Sequence, residues 1–221
     1  MGNSKKPYDP VKRAIDIIGS GTALIVLSPV IGAVGLAVRW KLGSPIIFRQ
    51  QRPGKDGKIF TIYKFRTMLD VDESRGLIRN EDRITSFGQK LRSTSLDELP
   101  SLWNVLQGDM SLVGPRPLHI RYLSRYSQRQ LRRHDVRPGV TGLAQVSGRN
   151  LLNWSDRLEM DVEYVEQRSL RLDCHIVLKT ISAVFKRSGI SAEGHVASSE
   201  FTGATPIEPQ MSDASLQVPS T

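Results

Sequence analysis

The stretch IIGSGTALIVLSPVIGAVGLAV, Ile17 to Val38, decides how this chain folds. It is a run of 22 residues without a formal charge, rich in Ile, Val, Leu, Ala and Gly. As one straight helix it would measure about 33 Å, enough to cross a hydrocarbon core of about 30 Å. Two details oppose a simple crossing. Pro29 lies near the middle, where it cannot donate a backbone hydrogen bond and its ring crowds the carbonyl of Ile25. Positive charge also flanks both ends, Lys12 and Arg13 before, Arg39 and Lys41 after, with Trp40 as an interfacial anchor. The positive-inside bias then pulls both ends to the cytoplasmic face. A re-entrant helix that bends at Ser28-Pro29 satisfies both constraints, and the Ser28 hydroxyl can bond a carbonyl freed by the bend. A full span with a tolerated proline is the competing reading. A signal peptide would need a small-residue cleavage site, and a buried core helix would be shorter and carry a polar stripe.

Outward from this segment the composition narrows the function. The chain has 221 residues and a formal charge of +9, from 31 basic against 22 acidic residues. That excess suits an anionic partner: nucleic acid, a phosphorylated substrate or anionic membrane lipids. The single cysteine, Cys174, excludes an internal disulfide framework. The histidines, His119, His134, His175 and His195, have no zinc-ligand spacing.

Downstream, Ile46–Gln50 and Ile59–Tyr63 read as two strands joined by the turn-rich Arg52–Lys58, a β-hairpin that runs out into Lys64 and Arg66. Asp82–Arg92 has Ile84, Phe87 and Leu91 at helical spacing; Leu99, Leu102, Trp103 and Leu106 repeat the pattern in a helix ending near Gly108. Arg121–Arg133 is a basic helical stretch suited to an anionic membrane surface or to solvent. Arg137–Arg149, with three glycines and two arginines at its ends, reads as a loop whose backbone approaches a ligand. Leu158, Val162 and Val165 mark one further helix, Ile176 to Phe185 another. Ser191–Thr221 has the composition of a disordered tail.

Ser95-Leu96-Asp97-Glu98-Leu99-Pro100 places two carboxylates side by side in a basic chain. One reading is a capping box, Ser95 with Glu98, at the start of the second helix. The other is a site where a divalent metal or a ring of arginines offsets the repulsion and receives an anionic substrate.

In order and without a gap from about Tyr8 to Gly189, the motifs resemble the bacterial sugar transferases, small monotopic phosphoglycosyl transferases acting on polyprenol phosphate. The matching stretches are the Ser28-Pro29 segment, Arg52-Pro53-Gly54, Lys64–Met68, Ser95–Pro100, Trp103–Leu106, Gly108–Ser111, Gly114-Pro115-Arg116-Pro117 and Arg137–Arg149. The chain resembles the minimal catalytic unit, without the multi-span N-terminal region of longer members. The resemblance implies that a sugar-1-phosphate passes from a UDP-sugar to undecaprenyl phosphate, releasing UMP and initiating a surface glycan such as exopolysaccharide. It is nearest to the undecaprenyl-phosphate galactose phosphotransferases, so galactose or glucose is the expected hexose. It further implies the re-entrant helix, Asp97 as covalent nucleophile, Glu98 beside it, Mg²⁺ held at Asp97, and Arg116 as phosphate ligand. By motif position Lys64, Arg66, Arg92, Arg137 and Arg149 are further ligands of substrate anions.

The expected fold is α+β and predominantly helical. It comprises a membrane-associated re-entrant helix over 1–42, a cytosolic catalytic domain over 43–189 with one hairpin and interfacial amphipathic helices, and a tail over 190–221. The expected location is the cytoplasmic face of the bacterial inner membrane. A nucleic-acid-binding protein would leave the apolar segment and the acidic pair unexplained, with few aromatics for base stacking. A non-catalytic membrane scaffold would leave the motif set without a purpose.

Overall fold

The computed structural model describes residues 6–148, 152–186 and 200–203. Two helices, α1 (Tyr8–Val26) and α2 (Ser28–Leu42), come first and meet at a 63° bend. The cause is local. Pro29 occupies the first turn of α2, and the Ser28 hydroxyl donates to the Ile25 carbonyl at 2.8 Å, the group that the proline ring displaces. Among the described residues no single helix is long and apolar enough to cross a membrane; this bent pair passes by length and composition together.

Both arms of the pair return to the same domain. On α1, Arg13 donates to the carbonyls of Val105 and Leu106 (2.7 and 2.8 Å), and buried Asp16 accepts from Ser111 Oγ and the Leu112 amide (3.0 and 2.9 Å). On α2, Val34, Val38 and Leu42 share a core with Phe65 and Leu91. Ile18, Ile25, Val26, Leu36 and Trp40, in contrast, are 67 % or more exposed, so the side turned away from the domain is an uncovered apolar surface.

The hairpin forms as its sequence dictates. Strands β1 (Ile47–Pro53) and β2 (Ile59–Phe65) pair antiparallel, Ile47 opposite Phe65 and Pro53 opposite Ile59. The expected helix over Asp82–Arg92 is divided into α3 (Asn80–Arg83) and α4 (Ser86–Ser93). Ile84 leaves the helix to bridge Met68, and Thr85 restarts it by capping the Gly88 amide at 3.0 Å. A Cβ on Gly88 would lie 1.9 Å from the Thr67 carbonyl oxygen, so glycine here lets α4 close onto the strand exit. After a 3₁₀ turn, Leu96–Glu98, comes α5 (Ser101–Gln107), which stops at Gly108 with φ of 97°.

A second sheet was not legible from the strand pattern. Strands β3 (Ser111–Val113) and β4 (Gly139–Thr141) pair in parallel. Each is three residues long, too short to show an alternation. A Cβ on Gly139 would fall 2.1 Å from the Gly114 amide nitrogen. Gly139 and Gly142 thus permit this loop's backbone to approach that of Gly114, and Gly139 also lines a cavity.

The basic stretch also departs from expectation. Arg121–Arg133 is a 3₁₀ turn (Ile120–Arg125), the single turn α6 (Gln128–Leu131) and another 3₁₀ turn (Arg132–Asp135), not one amphipathic helix. Ser127 and Gln130 form a capping box that restarts the chain after extended Tyr126. Tyr122, Tyr126 and Arg133 turn inward, while Arg129 pairs with Glu159 and Arg132 with Glu166 (2.5 Å). Much of the positive face is thereby neutralised within the molecule. The remaining helices are α7 (Leu143–Val146), α8 (Trp154–Gln167) and α9 (Leu170–Lys186). Asp173 at the start of α9 accepts from Tyr8 and Tyr164 (both 2.8 Å) and pairs with Lys12, tying α1 to the C-terminal helices.

Within the span assigned by composition to a disordered tail, Glu200–Gly203 is docked. Phe201 is 3 % exposed against Tyr122, Tyr126 and Trp154. One buried aromatic suffices to anchor four residues in a stretch of otherwise small and polar side chains. The rest of that tail lies outside the described residues.

Candidate active site

Strand β2, helix α4 and the turn before α5 converge on one cavity of about 760 Å³. Its wall includes Lys64, Arg66, Arg92, Asp97, Glu98 and Arg116. Asn104 sets the relation between strand and turn. Its buried amide accepts from the Tyr63 N–H at 3.1 Å and donates to the Thr61 carbonyl at 2.7 Å, fixing α5 against β2. Lys64, one residue beyond, therefore meets Glu98, three residues before α5, at 2.6 Å. Arg116 reaches the same Glu98 oxygen at 2.9 Å. Buried Arg133 supports that approach by donating to the Arg116 carbonyl at 2.6 Å while paired with Asp161 at 2.6 Å.

The capping-box reading of Ser95 and Glu98 fails on geometry. Ser95 adopts φ of 57° and makes no side-chain cap, and Glu98 is committed to the two cations. A non-glycine residue in the left-handed region is costly, and such strain is concentrated where a side chain must be aimed. Here the reversal at Ser95 turns Asp97 and Glu98 into the cavity.

Adjacent carboxylates diverge electrostatically. Burial opposes ionisation of Glu98, but Arg116 and Lys64 outweigh it and hold the group down at about 2. Asp97, only 8 % exposed, is pushed up to about 6 by burial and by the charge of Glu98, against the pull of Lys64, Arg116 and Arg92. The cations thus serve Glu98 first. Among the described residues Asp97 has no ion-pair partner within 4 Å. It is a carboxylate without a counter-ion, facing a cation-lined space.

The remaining expected residues separate into two groups. Arg92 lines the cavity and donates to Thr67 Oγ1 at 3.0 Å; burial lowers its basicity. Arg66 lines it too, but its guanidinium is occupied by the carbonyls of Met68 and Ser44 and by Asp70 (2.9, 2.6 and 2.7 Å). Arg137 is not brought to the cavity wall: its Nε donates to the Gly108 carbonyl at 2.7 Å, bracing the end of α5. Arg149 lies outside the described residues. Arg52 was missed as a lining residue because Arg52-Pro53-Gly54 reads as turn chemistry. It donates to Gln50 Oε1 at 2.5 Å.

Two adjacent acids, one clamped by cations and one open, within an arginine-rich cavity beside an uncovered apolar helix pair, fit chemistry on an anion delivered from a membrane. The model of the bacterial sugar transferase family matches residues 7–187. The chain belongs to that family. Among its relatives, an uncharacterised sugar transferase, EpsL, of Bacillus subtilis is 47 % identical over 88 % of this chain and 96 % of its own length. The UDP-glucose:undecaprenyl-phosphate glucose-1-phosphate transferase of Klebsiella pneumoniae is 41 % identical over 77 % of this chain but 39 % of its own. For the undecaprenyl-phosphate galactose phosphotransferase of Salmonella typhimurium the values are 40 %, 81 % and 41 %. This bacterial sugar transferase thus spans nearly all of one relative and about two fifths of the other two.

Proposed function

We propose that this protein transfers a hexose-1-phosphate, galactose or glucose, from a UDP-sugar to undecaprenyl phosphate, initiating a surface glycan. The observation that carries the reading is the division of labour between the neighbouring acids. Lys64 and Arg116 neutralise Glu98, leaving the Asp97 carboxylate open to an incoming phosphorus. An Asp97 oxygen attacks the sugar-bearing phosphorus; an Asp97–phosphorus bond forms, the pyrophosphate bridge breaks, and UMP departs with the electron pair. An oxygen of undecaprenyl phosphate then attacks the same phosphorus, releases the Asp97 carboxylate and yields the lipid diphosphate sugar. Because the transfer is divided in two, the soluble donor and the lipid acceptor need not be bound together. Arg116 and Arg92 suit the equatorial phosphoryl oxygens, since a planar guanidinium donates two parallel hydrogen bonds. Glu98 holds the cations in register, and its ion pairs relax as substrate oxygens replace it.

Among the described residues no group of three or more His, Cys, Asp or Glu could hold a metal ion, so a divalent ion here would rest on Asp97 and the substrate's phosphates. Magnesium is commonly held by one or two carboxylates together with substrate phosphates, and Asp97 offers an oxygen ligand without a counter-ion. Asp97 would hold Mg²⁺, which when bound adds neutralisation of phosphoryl charge. The membrane reading, at the cytoplasmic face, is supported by the bent apolar pair whose two arms return to one domain.

Intact-mass analysis of the membrane-bound protein with UDP-sugar and Mg²⁺, without lipid acceptor, tests the mechanism. The wild type should gain one phosphosugar, and Asp97→Asn should gain nothing and release no UMP. Undiminished UMP release by Asp97→Asn sinks the reading.

A further inference from the structure

Beside the main cavity lies a smaller chamber of about 210 Å³. The two share Arg52, Lys64, Glu98, Arg116 and His119, but Asp97 and Arg92 line only the larger one. The chamber is distinguished by its aromatic wall. His119, Tyr122 and Trp154 line it, with Tyr122 set edge-on to Trp154 at 5.6 Å and to His119 at 5.8 Å. At about 210 Å³ it lies below the roughly 300 Å³ at which drug-sized pockets begin, a size suited to a small ring system.

Its aromatic wall is held from the far side by the C-terminal segment. Phe201 lies 5.6 Å from Tyr122, 5.4 Å from Trp154 and 5.7 Å from Tyr126. Glu200 pairs with Arg125 at 2.9 Å and with Arg121 at 3.5 Å, and Arg125 also donates to the Phe201 carbonyl. Arg52, which lines both the chamber and the cavity, has no carboxylate partner among the described residues. Burial and the neighbouring Arg116 push its guanidinium down to about 10.

Geometry of displacement says which part of a donor belongs there. In-line attack places the departing oxygen on the opposite side of the phosphorus from the nucleophile. The chamber shares Glu98 and Arg116 with the cavity but not Asp97, so a donor whose phosphorus meets Asp97 has its leaving nucleotide directed toward the residues that the two spaces share. A planar base stacks on aromatic faces whatever its hydrogen-bonding edges.

Resting on the donor reading above, we infer that this chamber is the nucleoside subsite. Tyr122, Trp154 and His119 receive the uracil ring, Arg52 the adjoining phosphate, and Phe201 is a positioning residue that keeps the wall in place.

The experiment titrates purified protein with UMP alone and measures steady-state kinetics with UDP-sugar and undecaprenyl phosphate. Trp154→Ala should weaken UMP binding and raise the donor KM about tenfold, the scale of one lost stacking partner. Its kcat at saturating donor and its lipid KM should stay near wild type. Phe201→Ala should move the same two quantities in the same direction, and Phe201→Tyr and Trp154→Phe should restore them. Unchanged UMP affinity in Trp154→Ala, or a defect confined to the lipid KM, overturns the subsite while UMP release by the wild type leaves the donor reading standing. A wild type that neither binds UMP nor releases it from any UDP-sugar overturns both.

Discussion

Asp97 and Glu98 are chemically near-identical neighbours, yet the fold gives them opposite tasks. Glu98 is pulled down to about 2 by two cations, and Asp97 is pushed up to about 6 by its burial and by that same neighbour. The pair was legible in the sequence because adjacent acids in a basic chain are electrostatically anomalous. Which acid the cations serve was not, since it depends on the strand register at Lys64 and on Arg116, 18 positions downstream. Arg116 and Arg137 offer a direct contrast: both were read as phosphate ligands, but one faces the cavity and the other braces Gly108. Arg116→Ala should cost about 2–3 kcal/mol of transition-state stabilisation, roughly 30- to 150-fold in kcat/KM, the scale of a lost charge-assisted hydrogen bond. Arg137→Ala should stay within about threefold of wild type in kcat/KM while its thermal midpoint falls. Equal losses of kcat/KM in the two variants would overturn this assignment.

Elements were legible where local chemistry alone determines them. The hairpin follows from Pro53-Gly54 and Asp56-Gly57 between apolar runs, and the break at Ser28-Pro29 from the missing proline donor. Helical periodicity misled over Arg121–Arg133, because residues facing inward were paired with partners far along the chain. Arg133 meets Asp161, and His134 donates through Nδ1 to the Gly54 carbonyl at 3.1 Å, joining the hairpin turn to this stretch. Burial, with Arg133 adjacent, pulls His134 down to about 4. Its buried Nε2 has no hydrogen-bond partner among the described residues, so the neutral ring is the form that fits. A histidine depressed in the fold contributes stability above its unfolded value near 6.5, and that contribution is lost as pH falls toward 4. Between pH 7 and pH 5 the wild type should lose about 2 kcal/mol through this group. Denaturant unfolding of His134→Gln should lack that part of the loss; an unaltered pH slope would mean that His134 takes up its proton without opening the contact.

At the scale of the whole molecule, sequence alone left a spanning helix and a re-entrant one both open. Packing supplies the discriminating argument. A spanning helix would hold its ends on opposite sides of a bilayer, where a single soluble domain cannot touch both. In this fold Asp16 on the first arm and Val38 on the second are 2 % and 0 % exposed, each enclosed by the same domain. Around the bend, Ile25 and Val26 are 76 % and 67 % exposed, and these are the residues that a lipid phase would cover. Cysteines placed by Pro7→Cys and Lys41→Cys in a Cys174→Ser background should thus both react with an impermeant thiol reagent from one and the same side of the membrane. With the apolar tip seated in hydrocarbon, as proposed above, Ile25→Cys should stay protected until detergent is added. Labelling of the first two positions from opposite sides would establish a span, and it would require one arm to leave the domain that now encloses it.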